Sequence, residues 1–257
     1  YLFFPRNDRW YGSLFPDDPD LVVGEVTPEY AMLDADVVAF FASGDYRYRE
    51  AAEDVARCLR AGKNVVCTSL VPLCYPPAAD RETVELLEQA CRDGGTSLFN
   101  SGVDPGWAND VIPLVMSGFS SRVDTVTTQE ILDYGGINQP EIMFDFMGFG
   151  HPPDFPAPLL DQARLAHLWA PVVHIVADGL GLPLDRVDTE IEPWLATQRY
   201  EVASGWIEAG TMGAMRFRLA GVADGEERVL GIRVTAHRRD SEAFFLARLT
   251  PAGAPPG

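Results

Sequence analysis

Residues 36–100 alternate between two kinds of pattern, and this constrains the fold more than any other feature. Asp36-Val37-Val38-Ala39-Phe40-Phe41-Ala42, Asn64-Val65-Val66-Cys67-Thr68 and Leu98-Phe99 are short apolar runs. Continuous apolarity over so few positions is the profile of a strand buried on both faces. Between them lie two segments of helical period. Residues 49–61 put Ala52, Val55, Ala56 and Leu59 on one face and stop at Gly62. Residues 80–92 do the same with Val84, Leu86, Leu87 and Ala90, and Asp93-Gly94-Gly95 ends them. Strand, helix, strand, helix, strand with short turns implies a parallel sheet with crossover helices. In such sheets a ligand lies outside the carboxyl ends of the strands. Those ends carry Ser43-Gly44-Asp45, Thr68-Ser69 and Ser101-Gly102, all small or hydrogen-bonding. Small residues also end many strands that hold no ligand, so both readings stay open.

The third strand leads into SLFNSGVDPGWANDVIPLVMSG, residues 97–118. A turn through Ser101-Gly102-Val103-Asp104-Pro105-Gly106 precedes a helical pattern with Val111, Ile112, Leu114 and Val115 on one side and Met116 close by. Pro105 suits a first helical turn, where a missing N–H costs nothing, and Asp104 suits the cap. The arrangement is one that α/β proteins use to hold anionic or polar groups, and also an ordinary well-capped joint. No G-x-G-x-x-G follows a strand. Gly179-Leu180-Gly181 reads as a helix stop, and Gly148-Phe149-Gly150 lacks the strand–turn–helix setting.

Gly102-Val103-Asp104-Pro105-Gly106-Trp107-Ala108-Asn109-Asp110 resembles the G-[IV]-N-P-G-F-x-x-D segment of the dihydrodipicolinate reductase-like, NAD(P)-dependent amine dehydrogenases, the 2,4-diaminopentanoate dehydrogenase-like group. Gln129-Glu130-Ile131-Leu132-Asp133-Tyr134, then Gln139-Pro140-Glu141, then Met147-Gly148-Phe149-Gly150 is similar to its E-x-x-D-Y … P-E … M-G-F-G block. Asp104 stands where that family has Asn, and Trp107 where it has Phe. The resemblance implies a Rossmann-type sheet whose Gly-rich fingerprint lies N-terminal to Tyr1, followed by a substrate domain, with NAD or NADP as cofactor. It implies hydride transfer at an amine-bearing carbon of a small molecule. It places Ser43, Gly44, Thr68, Ser69, Gly102, Asp104, Pro105 and Gly106 at the cofactor, and Glu130, Asp133 and Tyr134 at the interdomain cleft as catalytic candidates. Carboxylates there suit a substrate ammonium or its proton, while solvated acids at a strand end are the competing reading. True dihydrodipicolinate reductases carry a histidine pair with a nearby lysine, which this chain lacks. A homoserine- or aspartate-dehydrogenase-like oxidoreductase, or a non-catalytic assembly module that has lost its cofactor site, are the alternatives.

With 20 basic and 38 acidic residues, the formal charge of −18 argues against a nucleic-acid partner and suits a cationic substrate. Lys63 is the sole lysine. Cys58, Cys67, Cys74 and Cys91 form no C-x-x-C pair, and His151, His167, His174 and His237 show no metal spacing, so reduced thiols, a cytoplasmic location and no metal are expected. No apolar run of about 20 residues points to a membrane span. The opening, YLFFPRNDRWYGSLFPDDPD, has no clear period, and the chain reads as beginning inside a domain.

After Gly118 the pattern changes. Residues 122–131 alternate as a half-exposed strand, 140–147 suit one or two helical turns, and 157–180 read as a long helix interrupted or kinked near Pro171. A strand is expected over 186–196, and a hairpin over 211–237 around Asp224-Gly225-Glu226-Glu227. Met215, Phe217 and Leu219 are expected to share one face with Leu230, Ile232 and Val234. The expected fold class is therefore α/β. Residues 1–118 form the back of a partial Rossmann domain that lacks its first strands. Residues 119–249 form an α+β mixed-sheet domain serving substrate binding and homo-oligomer assembly, and 250–257 a disordered tail.

Overall fold

The computed structural model describes residues 21–24, 36–42, 44, 47–236 and 244–251. It divides the chain into two units, Tyr1–Gly102 and Val103–Gly257. In the first, β1 (Leu21–Gly24), β2 (Val37–Phe40), β3 (Asn64–Cys67) and β4 (Leu98–Asn100) lie side by side in that order, all parallel. The strand β1 lies where the sequence pattern suggests none. Two helices connect the later strands, α1 (Tyr48–Arg60) and α2 (Arg81–Gly94). Asp80 caps α2 by accepting the Thr83 N–H at 2.9 Å, and Gly95 ends it in the left-handed conformation. Val38, Phe40, Val65 and Cys67 meet Ala52, Val55, Leu59 and Leu87 in one core. Because the strands advance steadily in one direction, right-handed crossovers all land on one face. On the opposite face Val66 and Phe99 are register partners, 39% and 64% exposed, and no helix covers them among the described residues.

The second unit contains α3 (Val111–Ser117), β5 (Val123–Asp133), a π-helical turn (Glu141–Phe146) and α4 (Gln162–Gly179). Then follow β6 (Arg186–Leu195), the small hairpin β7 (Tyr200–Val202) and β8 (Gly205–Ile207), β9 (Met212–Ala223), β10 (Glu226–Ala236) and β11 (Phe244–Pro251). The larger sheet is mixed, ordered β11-β5-β10-β9-β6, with β5 and β10 parallel. The α/β class with a parallel sheet followed by a mixed one is thus as expected. Helix α3 lies beside α4, β5 and β11, so it goes with the second unit although the sequence reading grouped it with the first.

Three local expectations change. The long helix starts at Gln162, not 157, because Asp161 accepts the Arg164 N–H at 2.8 Å and caps it there. It then runs through Pro171 unbroken, since Val172, Val173, Val176 and Ala177 are buried and this burial outweighs the lost hydrogen bond. Thr250 and Pro251, assigned to the tail, pair with β5 as the end of β11, and 252–257 lie outside the described residues.

The third change concerns the hairpin. Asp224 and Gly225 both have positive φ, 56° and 77°, as a two-residue type I′ turn requires. A symmetric ladder from this turn would pair Leu230 with Leu219. Instead the register slips between Glu227 and Val229, and Gly231 pairs with Leu219. One extra residue turns every later side chain to the other face. Leu230, Ile232 and Val234 therefore stand opposite Ala220, Arg218 and Arg216, not Leu219, Phe217 and Met215. On that outer face Arg216 meets Glu192 at 2.7 Å and Arg218 meets Glu190 at 3.7 Å, both pairs directly cross-strand. On the inner face Met215, Phe217 and Leu219 are buried beneath α4 with Val126 and Leu132.

Candidate active site

Parallel strands end at the same edge of their sheet, so Gly44, Thr68, Ser69 and Gly102 are gathered by topology. The Thr68 N–H donates to Phe40 O at 3.3 Å, and the Ser101 N–H to Cys67 O at 3.0 Å, which ties the three strand ends together. Thr68 is exposed and Ser69 half-buried. Gly44 is buried, and a Cβ there would lie 2.1 Å from Ser69 O. Close backbone approach therefore explains this glycine without a ligand. Ser43 lies outside the described residues. Burial pushes the Cys58 and Cys67 thiols up, and none of the four cysteines forms a disulfide.

The turn after β4 differs from the expected helix start. Asp104, Pro105 and Gly106 are not helical: the Asp104–Pro105 bond is cis and Gly106 has φ 130°. Helix α3 begins six residues beyond Pro105, at Val111, capped by Asp110. The Asp110 carboxylate is 1% exposed and accepts the Gly106 N–H at 2.8 Å and the Val111 N–H. Burial holds its carboxyl above the usual carboxylate range, and the two amides pull the other way. Pro113 is then the residue that falls in the first helical turn, where no N–H is needed. The signal for this start was an Asp immediately before Val111-Ile112.

Within the second unit the turn reaches a cavity of about 20 Å³, room for about one water. Three polar residues line it: Asp104, Asn109 and Thr128. The Asn109 amide donates to Asp104 Oδ1, and the Thr128 hydroxyl donates to Leu230 O at 3.3 Å. Trp169 and Phe217, with ring centroids 5.1 Å apart, supply aromatic wall, and Leu219 supplies aliphatic wall. Gly231 supplies no side chain at all, and the nearest atom to a Cβ built there is Thr128 Oγ1 at 3.9 Å. The slipped hairpin register creates this space, because without it Leu230 would face Leu219 and fill it. Of these residues only Asp104 was a candidate from the sequence. Asn109 belongs to the same turn, and the rest converge from β5, α4, β9 and β10, which no local pattern links.

Glu130 follows Thr128 on the same face of β5 and is 1% exposed, with Arg233 of β10 at the register position beside it. Asp133, three residues on, belongs to the other face. Its Oδ1 accepts the Gly135 N–H at 2.8 Å as an Asx turn, and its charge adds to burial in raising the Tyr200 hydroxyl. Tyr134 is buried in the core and its carbonyl accepts the Ile137 N–H at 3.1 Å. Glu130, Asp133 and Tyr134 thus do not converge on one point.

No group of three or more His, Cys, Asp or Glu able to hold a metal occurs among the described residues. No helix among them is long and apolar enough to cross a membrane.

No family model matches the chain. It is 38% identical over 199 residues to an amine dehydrogenase of Streptomyces virginiae, covering 77% of this chain and 55% of that protein. It is 22% identical over 232 residues to the 2,4-diaminopentanoate dehydrogenase of Acetoanaerobium sticklandii, covering 89% of this chain and 62% of that one. The chain therefore spans little more than half the length of these relatives. It shares its fold with the solved amine dehydrogenase from Mycobacterium smegmatis at a TM-score of 0.65 and 16% identity, over 83% of this chain and 66% of that one.

Proposed function

We propose that this chain is the greater part of an amine dehydrogenase, an NAD(P)-dependent oxidoreductase acting on the CH–NH2 group of a small molecule. Likeness to the Streptomyces amine dehydrogenase over most of the chain carries the reading. The cavity at the Asp104 turn is the structural feature that fits it. In the reaction, a protonated amine and water give a carbonyl compound, ammonium and one further proton, while a hydride leaves the amine-bearing carbon. NAD(P), when bound, supplies the hydride acceptor. Gly44, Thr68, Ser69 and Gly102 offer it a sheet edge of small and hydroxyl-bearing residues, and backbone can approach closely at Gly102 and Gly106. What this chain contributes is placement and dryness: the half-buried carboxylate and amide of the Asp104 turn hold the amine beside the sheet while the apolar wall excludes water.

Of the three catalytic candidates, Glu130 belongs at the substrate end of this reading, on the cavity's face of β5, as the group suited to hold or move a proton, while Asp133 on the other face and Tyr134 in the core stand apart from it. Four cysteines outside any disulfide suit a reducing cytoplasm. A second copy of the chain is the proposed partner for the outer face of the mixed sheet, where Trp194 is 39% exposed. The deciding experiment is turnover by the full-length protein. NAD(P)H formation is followed with a panel of small amines, and its consumption with the matching ketones plus ammonium. No turnover in either direction with any pair would refute the proposal. A strict monomer by light scattering would remove the self-association.

A further inference from the structure

We propose that Asn100 is a positioning residue for the cofactor: its side-chain amide latches residues 69–74, the segment after β3, so that Thr68 and Ser69 stand at fixed places on the sheet edge. The inference rests on the amine dehydrogenase reading and adds to it a residue which that reading does not use. Strand β3 ends at Cys67. The ladder carries one bond further on each side, from the Thr68 N–H to Phe40 O at 3.3 Å and from the Ser101 N–H to Cys67 O at 3.0 Å. The backbone then leaves the sheet through Ser69 and Leu70 into a 3₁₀ turn, Val71–Cys74. Asn100, the last residue of β4 and the register partner of Cys67, reaches across to that turn. Its Nδ2 donates to Leu70 O at 3.0 Å and to Cys74 Sγ at 3.6 Å, one hydrogen for each end of the turn. Leu70 O also accepts the Leu73 N–H at 2.8 Å, so the latch closes on the carbonyl from which the turn starts.

The other end of the same amide is unused. Asn100 Oδ1 is buried and makes no hydrogen bond among the described residues. A buried acceptor without a donor is a cost that an apolar side chain of the same shape would avoid, and the donor end is what offsets it. From the opposite side Gly44 backs against Ser69, where a Cβ would lie 2.1 Å from Ser69 O, and the Ser69 hydroxyl donates to Phe40 O at 3.5 Å. The segment is thus held between the ends of β2 and β4, and it continues directly from the two hydroxyls offered to the cofactor. Hydrogen bonds weaken steeply with misplacement, so a hydroxyl on a loose segment binds a cofactor oxygen poorly. A second asparagine supplies the contrast. Asn64, at the start of β3, accepts the Ser97 N–H at 2.9 Å through Oδ1. It also ties β3 to β4, but at the amino edge, where no candidate cofactor residue lies.

The test uses the full-length protein. Binding of NADH and NADPH in turn is followed by fluorescence, alongside steady-state kinetics with an amine that the wild type oxidises and thermal melts. Asn100→Asp keeps the shape and turns an oxygen towards Leu70 O, while Asn100→Leu removes the donor without adding charge. Both are expected to raise Kd and KM for the cofactor about tenfold, the worth of one hydrogen bond. The KM for the amine, and kcat at saturating cofactor, are expected to stay unchanged. Asn64→Ala is expected to lower the melting temperature and leave the cofactor constants as they are. If Asn100→Leu does not fold, Asn100→Asp read against Asn64→Ala decides. Cofactor constants unchanged in the Asn100 variants, or shifted equally by Asn64→Ala, would overturn the latch. The two readings fail distinguishably. A wild type that neither binds NADH or NADPH nor turns over an amine removes the enzyme, and the latch with it. A wild type that does both, with Asn100 variants that bind as it does, leaves the enzyme and removes the latch alone.

Discussion

Asp110 gives the sharpest test of how the turn is held, because two opposing effects act on one buried carboxylate. It is 1% exposed and accepts the N–H groups of Gly106 and Val111. Truncation to Ala leaves both amides without this acceptor, at about 1–3 kcal/mol each. The expected loss for Asp110→Ala is therefore about 2–6 kcal/mol, or roughly 4–24 °C at the 2–4 °C per kcal/mol usual for chains of this size. Asp110→Asn differs. It keeps one acceptor oxygen and removes a charge whose burial costs more than its hydrogen bonds return, since desolvation is the largest influence on this carboxyl and raises it. Because the two amides use different oxygens, Asn leaves one of them facing an NH2 group, and the expected loss is about 1–3 kcal/mol, offset in part by the removed charge and smaller than for Ala.

The pH dependence follows from the same sign. A carboxyl that is raised in the folded state binds its proton more tightly there than in the unfolded chain. The stability this proton linkage confers is complete below the unfolded carboxyl range and fades as pH rises through the raised folded value. The Asn variant has no such linkage, so the wild-type advantage over Asn narrows as pH rises across the acid range. Thermal and urea melts of the three proteins from pH 4 to 8, with hydrogen exchange at the Gly106 amide as a local readout, check both statements. An Asn variant as damaged as Ala, with a pH profile parallel to wild type, would refute the reasoning.

Gly106→Val must hold a φ of 130° that β-branched residues avoid. Turnover of the full-length protein should fall well beyond what its melting shift explains, as steady-state kinetics alongside melts will tell. Glu130→Gln should weaken ammonium-bearing substrates by one charge-assisted contact, about 1.5–3 kcal/mol or tenfold and more in kcat/KM, whereas Asp133→Asn, on the other face of β5 in an Asx turn, should not. Activity of Glu130→Gln that merely tracks its stability would remove that assignment. Tyr48 is raised to about 12 by burial, with the Asp80 charge assisting. Its contribution to stability is complete below pH 10 and is lost as pH rises towards 12. Tyr48→Phe should flatten that alkaline loss in a melting series, and an unchanged slope would count against it.

Apart from β1, the strands and α-helices of the first unit were legible in the sequence, because each is specified locally. Val65 and Cys67 needed only an apolar run to become a strand. Asp80 and Gly95 needed only a helical pattern between them to become its ends. The Asp224-Gly225 turn was legible for the same reason, since positive φ at two successive positions selects few residues. What the sequence could not decide was register and convergence. A single slipped residue beside Arg228 leaves the hairpin's composition and alternation unchanged, yet it exchanges Leu230 for Gly231 beneath α4. That exchange is set by fit against β5 and α4, which lie about 100 residues and about 60 residues away in the chain, and no local pattern records it. The alternation of β10 determined that it would be a strand, and only the tertiary packing decided which of its faces is inside and that a cavity is left beside Gly231.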